Sequence, residues 1–277
     1  MEENITNKYC AFIDLLGFKN RILDNFEDTV EYYREFYLSK NAIGNMNNNI
    51  RDEVYKALQN EKPNNDTKIS MFSDSIIISS SNLKDILDEI AQLTAWLLPL
   101  GFLFRGGIGY GKFCEMSDSK DILLVSEGLV QAVEIESKQA IYPRIMLHAS
   151  VMKELQLLLK NPQNSIYNFA HYIIQDESDS WFINPFFLNP DISDITEKNN
   201  QNISKYDGYD FCNKYMWLRE LCEYFMRQRE IRFNPRTYYS GENYSYPTKD
   251  KVKFFYPKMF LLSIFGEKNI ILMKLYI

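Results

Sequence analysis

The stretch Phe102-Leu103-Phe104-Arg105-Gly106-Gly107-Ile108-Gly109-Tyr110-Gly111-Lys112-Phe113 constrains this chain more than any other. Its apolar residues read as a strand, yet glycine stands at four of its positions. Glycine weakens a strand because it adds backbone freedom and offers no side chain to pack. Four of them in one strand point to a backbone that another chain, a helix or a ligand approaches closely. The spacing does not satisfy G-x-G-x-x-G and contains no strand-to-helix junction, which excludes a dinucleotide-binding fingerprint.

The elements around this strand follow from periodicity. Tyr9 to Phe18 is an apolar run that meets Gly17 and then takes on helical spacing, so it predicts strand, tight turn and helix. Residues 19–60 are expected to be largely helical, with Phe26, Val30, Tyr33 and Tyr37 on one side, a polar loop over Asn41 to Asn49 and another over Asn60 to Asp66. Lys68 to Ser79 holds two short Ile-rich runs around Ser73-Asp74 and predicts a hairpin with Asp74 at or beside its tip. Ser-Asp lacks the glycine of a favoured two-residue turn, which leaves the register open by a residue or two. Leu83 to Leu98 predicts a helix with the stripe Ile86, Leu87, Ile90, Leu93 and Leu97, ended by Pro99 and Gly101. Ile122 to Val125 reads as a strand, Ser126 as the cap of a helix to about Lys138 with Leu129, Ala132, Val133 and Glu136 inward, and Tyr142 to Leu147 as a strand. The order β, α, β-hairpin, α, β, β, α, β predicts an α+β fold, an antiparallel sheet with helices on one face. Beyond Ser150 the expectations are a helix over Met152 to Leu159, strands over Asn168 to Ile174 and Asp179 to Phe187, and a polar loop over Asn189 to Asn202. A helix over Lys214 to Arg229 follows, with Tyr215, Leu218, Leu221, Cys222 and Phe225 on one side. Residues 1–226 are expected to form one domain with its core at 8–150, and 227–277 a helical and aromatic extension.

Composition narrows the chemistry. At 277 residues and 45% hydrophobic the chain supports a substantial core, and a formal charge of −6 leaves no broad basic surface for nucleic acid. The four cysteines, Cys10, Cys114, Cys212 and Cys222, form no C-x-x-C pair, which fits a reducing compartment. His148 and His171 are the only histidines and have no ligand pattern around them. The polar, acidic start is unlike a signal peptide, and the apolar run Ala95 to Phe104 is too short to span a bilayer. The expectation is a soluble cytoplasmic protein with neither nucleic acid nor membrane as partner.

Two carboxylates carry the candidate chemistry. Asp14 ends the first strand and Asp74 lies at the hairpin; singly they read as a helix cap and a turn residue. If the hairpin pairs beside the first strand they face each other, and close carboxylates repel unless a cation lies between them. Such a pair can hold two divalent ions that activate a hydroxyl and stabilise a leaving pyrophosphate. Free N–H groups at the helix start after Gly17 suit phosphate oxygens.

Phe12-Ile13-Asp14-Leu15-Leu16-Gly17-Phe18, Phe72-Ser73-Asp74-Ser75-Ile76-Ile77 and Arg105-Gly106-Gly107-Ile108-Gly109-Tyr110-Gly111 together resemble the class III nucleotidyl cyclases. Within them the chain is most similar to the compact cyclases of the Pycsar anti-phage systems, which make cyclic UMP or cyclic CMP. The pattern Arg-x-Gly-Ile-x-x-Gly is met by Arg105, Gly107, Ile108 and Gly111, and further similarity lies in residues 128–132, 142–145 and 214–218. The resemblance covers roughly residues 8–148. It implies a ferredoxin-like palm, two Mg²⁺ or Mn²⁺ ions on Asp14 and Asp74, and active sites at a homodimer interface. It implies phosphate contacts from the N–H groups of Leu15, Leu16, Gly17 and Phe18, a catalytic Arg105, and Arg144 near the substrate. Lys68 stands where purine cyclases place a base-reading lysine; a solvated lysine opening a strand is its other reading. The reaction would convert UTP or CTP to the 3′,5′-cyclic nucleotide and pyrophosphate, read by a separate effector that senses the product. A purine cyclase and a degenerate nucleotide-binding module are the alternatives. One departure stands out: the purine cyclases carry an Asn and, four residues on, an Arg in the helix at 127–138, whereas here Gln131 is followed by Ile135. The triphosphate charge would then fall to Arg105, Arg144, Lys112 or a residue of the second subunit.

Overall fold

A computed structural model describes residues 5–34, 66–117, 122–159, 173–176, 180–186, 192–233 and 254–255. The expected loop over 41–49, most of the one over 60–66, the strand residues 168–172 and almost all of the aromatic tail lie outside these ranges.

The first half runs β1 (Thr6–Leu16), α1 (Phe18–Asp24), a helix at 26–34 (α2), β2 (Lys68–Phe72), β3 (Ser75–Ser80), α3 (Leu83–Leu97) and β4 (Leu103–Ser117). Then come β5 (Ile122–Ser126), α4 (Glu127–Lys138), β6 (Ile145–Leu147), α5 (Ala149–Leu159), β7 (Ile173–Asp176) and β8 (Trp181–Ile183). Two further helices, Ser193–Lys205 and Cys212–Phe233, precede β9 (Phe254–Phe255). The sheet order is β2-β3-β1-β4-β6-β8-β7-β9, with β5 hairpinned onto β4. Among the described residues only β4 and β6 run parallel. The first four strands, in the order β2-β3-β1-β4 with crossovers through helices, have the split βαβ arrangement of a ferredoxin-like sheet. The expected α+β class and antiparallel sheet are what the chain forms.

Strand periodicity divides the sheet into two faces. Ala11, Ile13 and Leu15 of β1, Ile76 and Ile78 of β3 and Phe104 and Ile108 of β4 are buried on one. The α3 stripe Ile86, Leu87, Ile90, Leu93 and Leu97 is buried as expected, and Leu93 and Leu97 meet Leu15, Ile76 and Phe102 around a small apolar gap. The other face carries Cys10, Phe12 and Asp14 opposite Gly109, Gly107 and Arg105. Helix α4 lies on this second face, so the expectation of helices on one face alone is corrected. The glycines are the reason. A Cβ on Gly107 would sit 2.5 Å from the Ala132 carbonyl oxygen, and one on Gly109 would sit 2.2 Å from that of Gly128. Helix backbone therefore rests on strand backbone, as the glycine pattern required.

This contact also corrects the inward side of α4. Ala132 and Glu136 are buried as expected, but Gly128 and Ile135 are buried with them, Leu129 is half-buried and Val133 is exposed. The closest approach selects Gly128 and Ala132, whose small size permits it, and turns the larger Val133 to solvent. Ser126 caps the helix through Leu129 N–H, as expected. In α2 the expected side is likewise rotated: Thr29 is buried, Tyr32 and Tyr33 are half-buried and Phe26 and Val30 are exposed. The strand expected over 142–147 is reduced to Ile145–Leu147, and the one over 179–187 to Trp181–Ile183. The expected polar loop over 189–202 is in its described part mainly the Ser193–Lys205 helix. Its polar composition hides it because little of it is buried, Ile195 and Asn199, the latter donating to the Tyr215 carbonyl at 2.8 Å.

Gly109→Ala is expected to cost about 2–3 kcal/mol, because its methyl would overlap the helix backbone. Urea unfolding of the variant beside the natural protein measures it.

Candidate active site

The site forms where β1 ends. Asp14 lies opposite Ser75 on one side and Arg105 on the other. The β2–β3 turn places Ser73 in the left-handed region, φ 54°, and turns the Asp74 carbonyl to Leu15, whose N–H donates to it at 2.8 Å. Tyr33 Oη–H donates to the Ser73 carbonyl and braces the turn from α2. The hairpin tip is thereby pinned beside Asp14, and the two carboxylates interact. Burial raises the Asp14 pKa above the ordinary carboxylate value, Arg105 opposes that, and Asp74 adds to it.

Arg105 bridges two acids. Its Nε donates to Asp14 Oδ2 at 3.4 Å, and its Nη2 lies 2.6 Å from Oε1 of Glu136 on α4. Burial raises the Glu136 pKa, Arg105 opposes it and Asp14 reinforces it. Lys214, near the start of the Cys212–Phe233 helix, belongs to the same electrostatic group. Burial lowers its pKa, Arg105 lowers it further and Asp14 opposes them. Asp14, Asp74, Glu136, Arg105 and Lys214 thus form one cluster at this end of the sheet.

Gly17, at φ 76° and with no side-chain cap, is the N-cap of α1, so Asp14 is not a helix cap and its carboxylate is free to meet Arg105. Asp74 is a turn residue and also Asp14's neighbour. The Leu15 N–H is spent on Asp74, which corrects its expected place among the phosphate donors. Leu16 is still within β1, and Gly17 and Phe18 begin a helix of only seven residues. Lys68 lies four residues from Phe72 along β2, about 13 Å at strand rise, and pairs with Glu115 at 2.7 Å. Arg144 is corrected outright. Its guanidinium is buried, ion-paired with Asp176, and lies 5.8–5.9 Å from the rings of Tyr142, Phe182 and Trp217. It braces β6 against β7 and β8 and has no charge to spare for a ligand. Gln131 accepts from Ser150 Oγ at 2.6 Å and from Tyr110 N–H at 3.2 Å, and Ile135 is core.

Glu136 was expected to face inward, but not to meet Arg105; Lys214 was expected to open a helix and to belong to the similar segment 214–218, with no role at the site. The signal for Lys214 was available: it stands three, four and seven residues before Trp217, Leu218 and Leu221, an ionisable side chain on a buried stripe.

Among the described residues no group of three or more His, Cys, Asp or Glu side chains forms a metal cage. Two convergent carboxylates nevertheless suit Mg²⁺, which is held by one or two carboxylates together with waters and substrate phosphates. The donor set is hard oxygen, and the carboxylates' mutual repulsion is the deficit a cation would relieve. Among the described residues no helix is long and apolar enough to cross a membrane.

No family model matches the chain, and no curated protein matches it. Among solved structures it is similar to the adenylyl cyclase CyaB from P. aeruginosa at 11% identity, over 66% of this chain and 94% of that one, with a TM-score of 0.39. It is similar to the guanylyl cyclase Cya2 at 16% identity over 55% and 80%, TM-score 0.36. It is also similar to the guanylyl cyclase domain of the RhoGC fusion protein from the aquatic fungus Blastocladiella emersonii, at 11% identity over 66% and 98%, TM-score 0.41. Likeness of this degree assigns no activity.

The raised carboxyls give a pH signature. A carboxyl whose folded pKa exceeds its unfolded value adds stability below the unfolded value and loses it as pH rises through the folded one. Asp14 and Glu136 both shift this way. Asp14→Asn, in chelator, is expected to weaken the loss of melting temperature from pH 4 upward and to melt no lower than the natural protein at neutral pH. Thermal melts across the pH series check it.

Proposed function

We propose that the chain is a nucleotidyl cyclase whose active site is built on Asp14 and Asp74, taking UTP or CTP to the cyclic mononucleotide. The observation that carries the reading is the pinning of the Asp74 turn to β1 beside Asp14, with Arg105 held against Asp14. The preference for a pyrimidine and the role in anti-phage defence, with a separate effector reading the product, rest on the sequence resemblance to the Pycsar cyclases.

In the reaction the ribose 3′-oxygen forms a bond to the α-phosphorus, the bond from that phosphorus to the α–β bridging oxygen breaks to release pyrophosphate, and the hydroxyl proton passes to water. Divalent ions, Mg²⁺ or Mn²⁺, would be held by Asp14 and Asp74 and supply Lewis-acid activation of the hydroxyl and charge neutralisation of the phosphates. Arg105 favours the ionised form of Asp14, the form that binds a cation. Glu136 holds Arg105 from the other side and fixes its direction. The N–H groups of Leu16, Gly17 and Phe18 are proposed to meet the phosphates and Lys68 the base.

A second copy of the chain is proposed as partner. Val125 and Val130 are each about two-thirds exposed, at 67% and 68%, and with Leu123 they are apolar side chains left to solvent on β5 and the start of α4, toward the end of β4 away from Arg105. Residues 1–226 are proposed as the cyclase domain, and 227–277 as an extension. The buried Ile135, standing where purine cyclases carry their arginine, favours the second reading, a module that binds the nucleotide without turning it over.

Incubation with each of the four ribonucleoside triphosphates and Mg²⁺ or Mn²⁺, followed by mass spectrometry, separates the readings. Cyclic UMP or cyclic CMP is expected. Cyclic AMP or GMP would make it a purine cyclase, and binding without any cyclic product would make it the module. Asp14→Ala and Asp74→Ala are each expected to reduce turnover roughly 100-fold or more while leaving the fold intact.

A further inference from the structure

Polyphosphate carries more negative charge than the cations already placed at this site can answer. Arg105 is shared between Asp14 and Glu136, and Arg144 is enclosed with Asp176. Lys8 pairs with Asp66, Lys68 with Glu115 and Lys138 with Glu134, while Arg21 donates to the Gly101 carbonyl and lies over the Phe102 ring. On α4, the helix nearest to Asp14 and Arg105, the inward residues are Gly128, Ala132, Ile135 and Glu136, none of them a cation.

Lys214 is different. It stands on the same side of its helix as Trp217, Leu218 and Leu221, all buried. Trp217, one turn on, stacks on Tyr142 with ring centres 5.6 Å apart and planes 6° from parallel, and also meets Phe182. Tyr142 belongs to the segment whose Arg144 carbonyl accepts the Gly106 N–H at 3.0 Å, next to Arg105. The helix is therefore anchored across the end of the sheet where Asp14 and Arg105 lie, and Asn199 fastens it a second time at the Tyr215 carbonyl. Lys214 is half-buried on this side and makes no ion pair with a described residue. Burial and then Arg105 lower its pKa and Asp14 opposes them, so its charge is felt by both side chains at this end of the strands.

We propose that Lys214 is the ligand cation of this site, binding the terminal phosphates of a nucleoside triphosphate. The proposal rests on the cyclase reading for the identity of the substrate, but its chemistry, an ammonium facing a polyphosphate, is tested apart from turnover. A triphosphate would give Lys214 a direct ion-pair partner, while Arg105 stays with Asp14 and Glu136. The role belongs to the C-terminal half of the chain, so the sheet's first four strands would hold the metal and the later helices the polyphosphate tail.

The test is calorimetric titration of the full chain with inorganic tripolyphosphate in Mg²⁺, for the natural protein, Lys214→Met, Lys214→Gln and Lys214→Arg, each checked for an unchanged melt. Loss of a charge-assisted contact is expected to weaken binding about 10- to 100-fold in the Met and Gln variants, with Arg retaining most of it. A nucleoside titration should be the same in all four. Tripolyphosphate binding as tight in Lys214→Met and Lys214→Gln as in the natural protein overturns the proposal, as does no binding to the natural protein. Lys214-dependent binding in a protein that makes no cyclic product upholds this inference and removes the cyclase reading, whereas cyclic product with no Lys214 dependence does the reverse.

Discussion

The close seating of α4 on the glycines of β4 is the constraint on which the site depends. Helix and sheet usually stand apart by the length of two side chains; here the carbonyls of Gly128 and Ala132 occupy space that a Cβ at Gly109 or Gly107 would need. That approach carries Glu136, at the last full turn of α4, to within 2.6 Å of Arg105, which opens the glycine run. A bulkier strand would lift the helix away and part the two. Packing and electrostatics are thus one design at this place, with the strand's missing side chains setting the distance across which an ion pair forms.

The cluster so assembled is poorly settled as it stands. Asp14, Asp74 and Glu136 face Arg105 and Lys214, and burial raises the acids Asp14 and Glu136 and lowers the base Lys214. Each of these three shifts means that the fold holds the charged form at some cost. Residues selected for stability alone would not be gathered in this way, and a concentration of such costs at one end of a sheet is the pattern by which functional sites are recognised. The surrounding core absorbs the cost: Ile13, Ile76, Ile86, Leu87, Ile90 and Ile108 are all fully buried, each worth about 1.5–3 kcal/mol of burial.

How much of this could be read from the chain varied with the kind of signal. The strands β1 to β4 and helix α3 were legible because alternation or a 3.6-residue stripe was strong and the solvent side was clean. The close approach to the glycine run was legible too, as a demand for some near neighbour, though not as a demand for α4. What failed is where small or polar residues do the packing. Gly128 has no hydrophobic weight in a pattern, so the inward side was drawn through Leu129, Ala132 and Val133 and missed Gly128 and Ile135. Ser193–Lys205 is buried at little more than Ile195 and Asn199, and its composition reads as a loop. Arg144 was misread for a related reason: nothing local in Tyr142-Pro143-Arg144 announces Asp176, thirty-two residues on, as its partner. At the site, Asp14 and Asp74 were found together because a hairpin register joins them, whereas Glu136 and Lys214 reach it only through tertiary placement.

Arg144 shows why the C-terminal half belongs to the palm rather than beside it. As a ligand it would have been replaceable; as a buried cation it needs both Asp176 on β7 and the rings of Tyr142, Phe182 and Trp217 to be tolerated at all. Removing either partner would leave a desolvated charge, so β6, β7, β8 and the Cys212–Phe233 helix are obliged to assemble around it. The same arginine's carbonyl accepts the Gly106 N–H, which fixes the backbone one residue from Arg105. The direction in which Arg105 points is therefore set from both sides, by Glu136 through its side chain and by Arg144 through the strand. The helix that covers Arg144 with Trp217 also carries Lys214 one turn earlier. One buried arginine thus orients a cation on the strand and another on the helix, without touching a ligand itself.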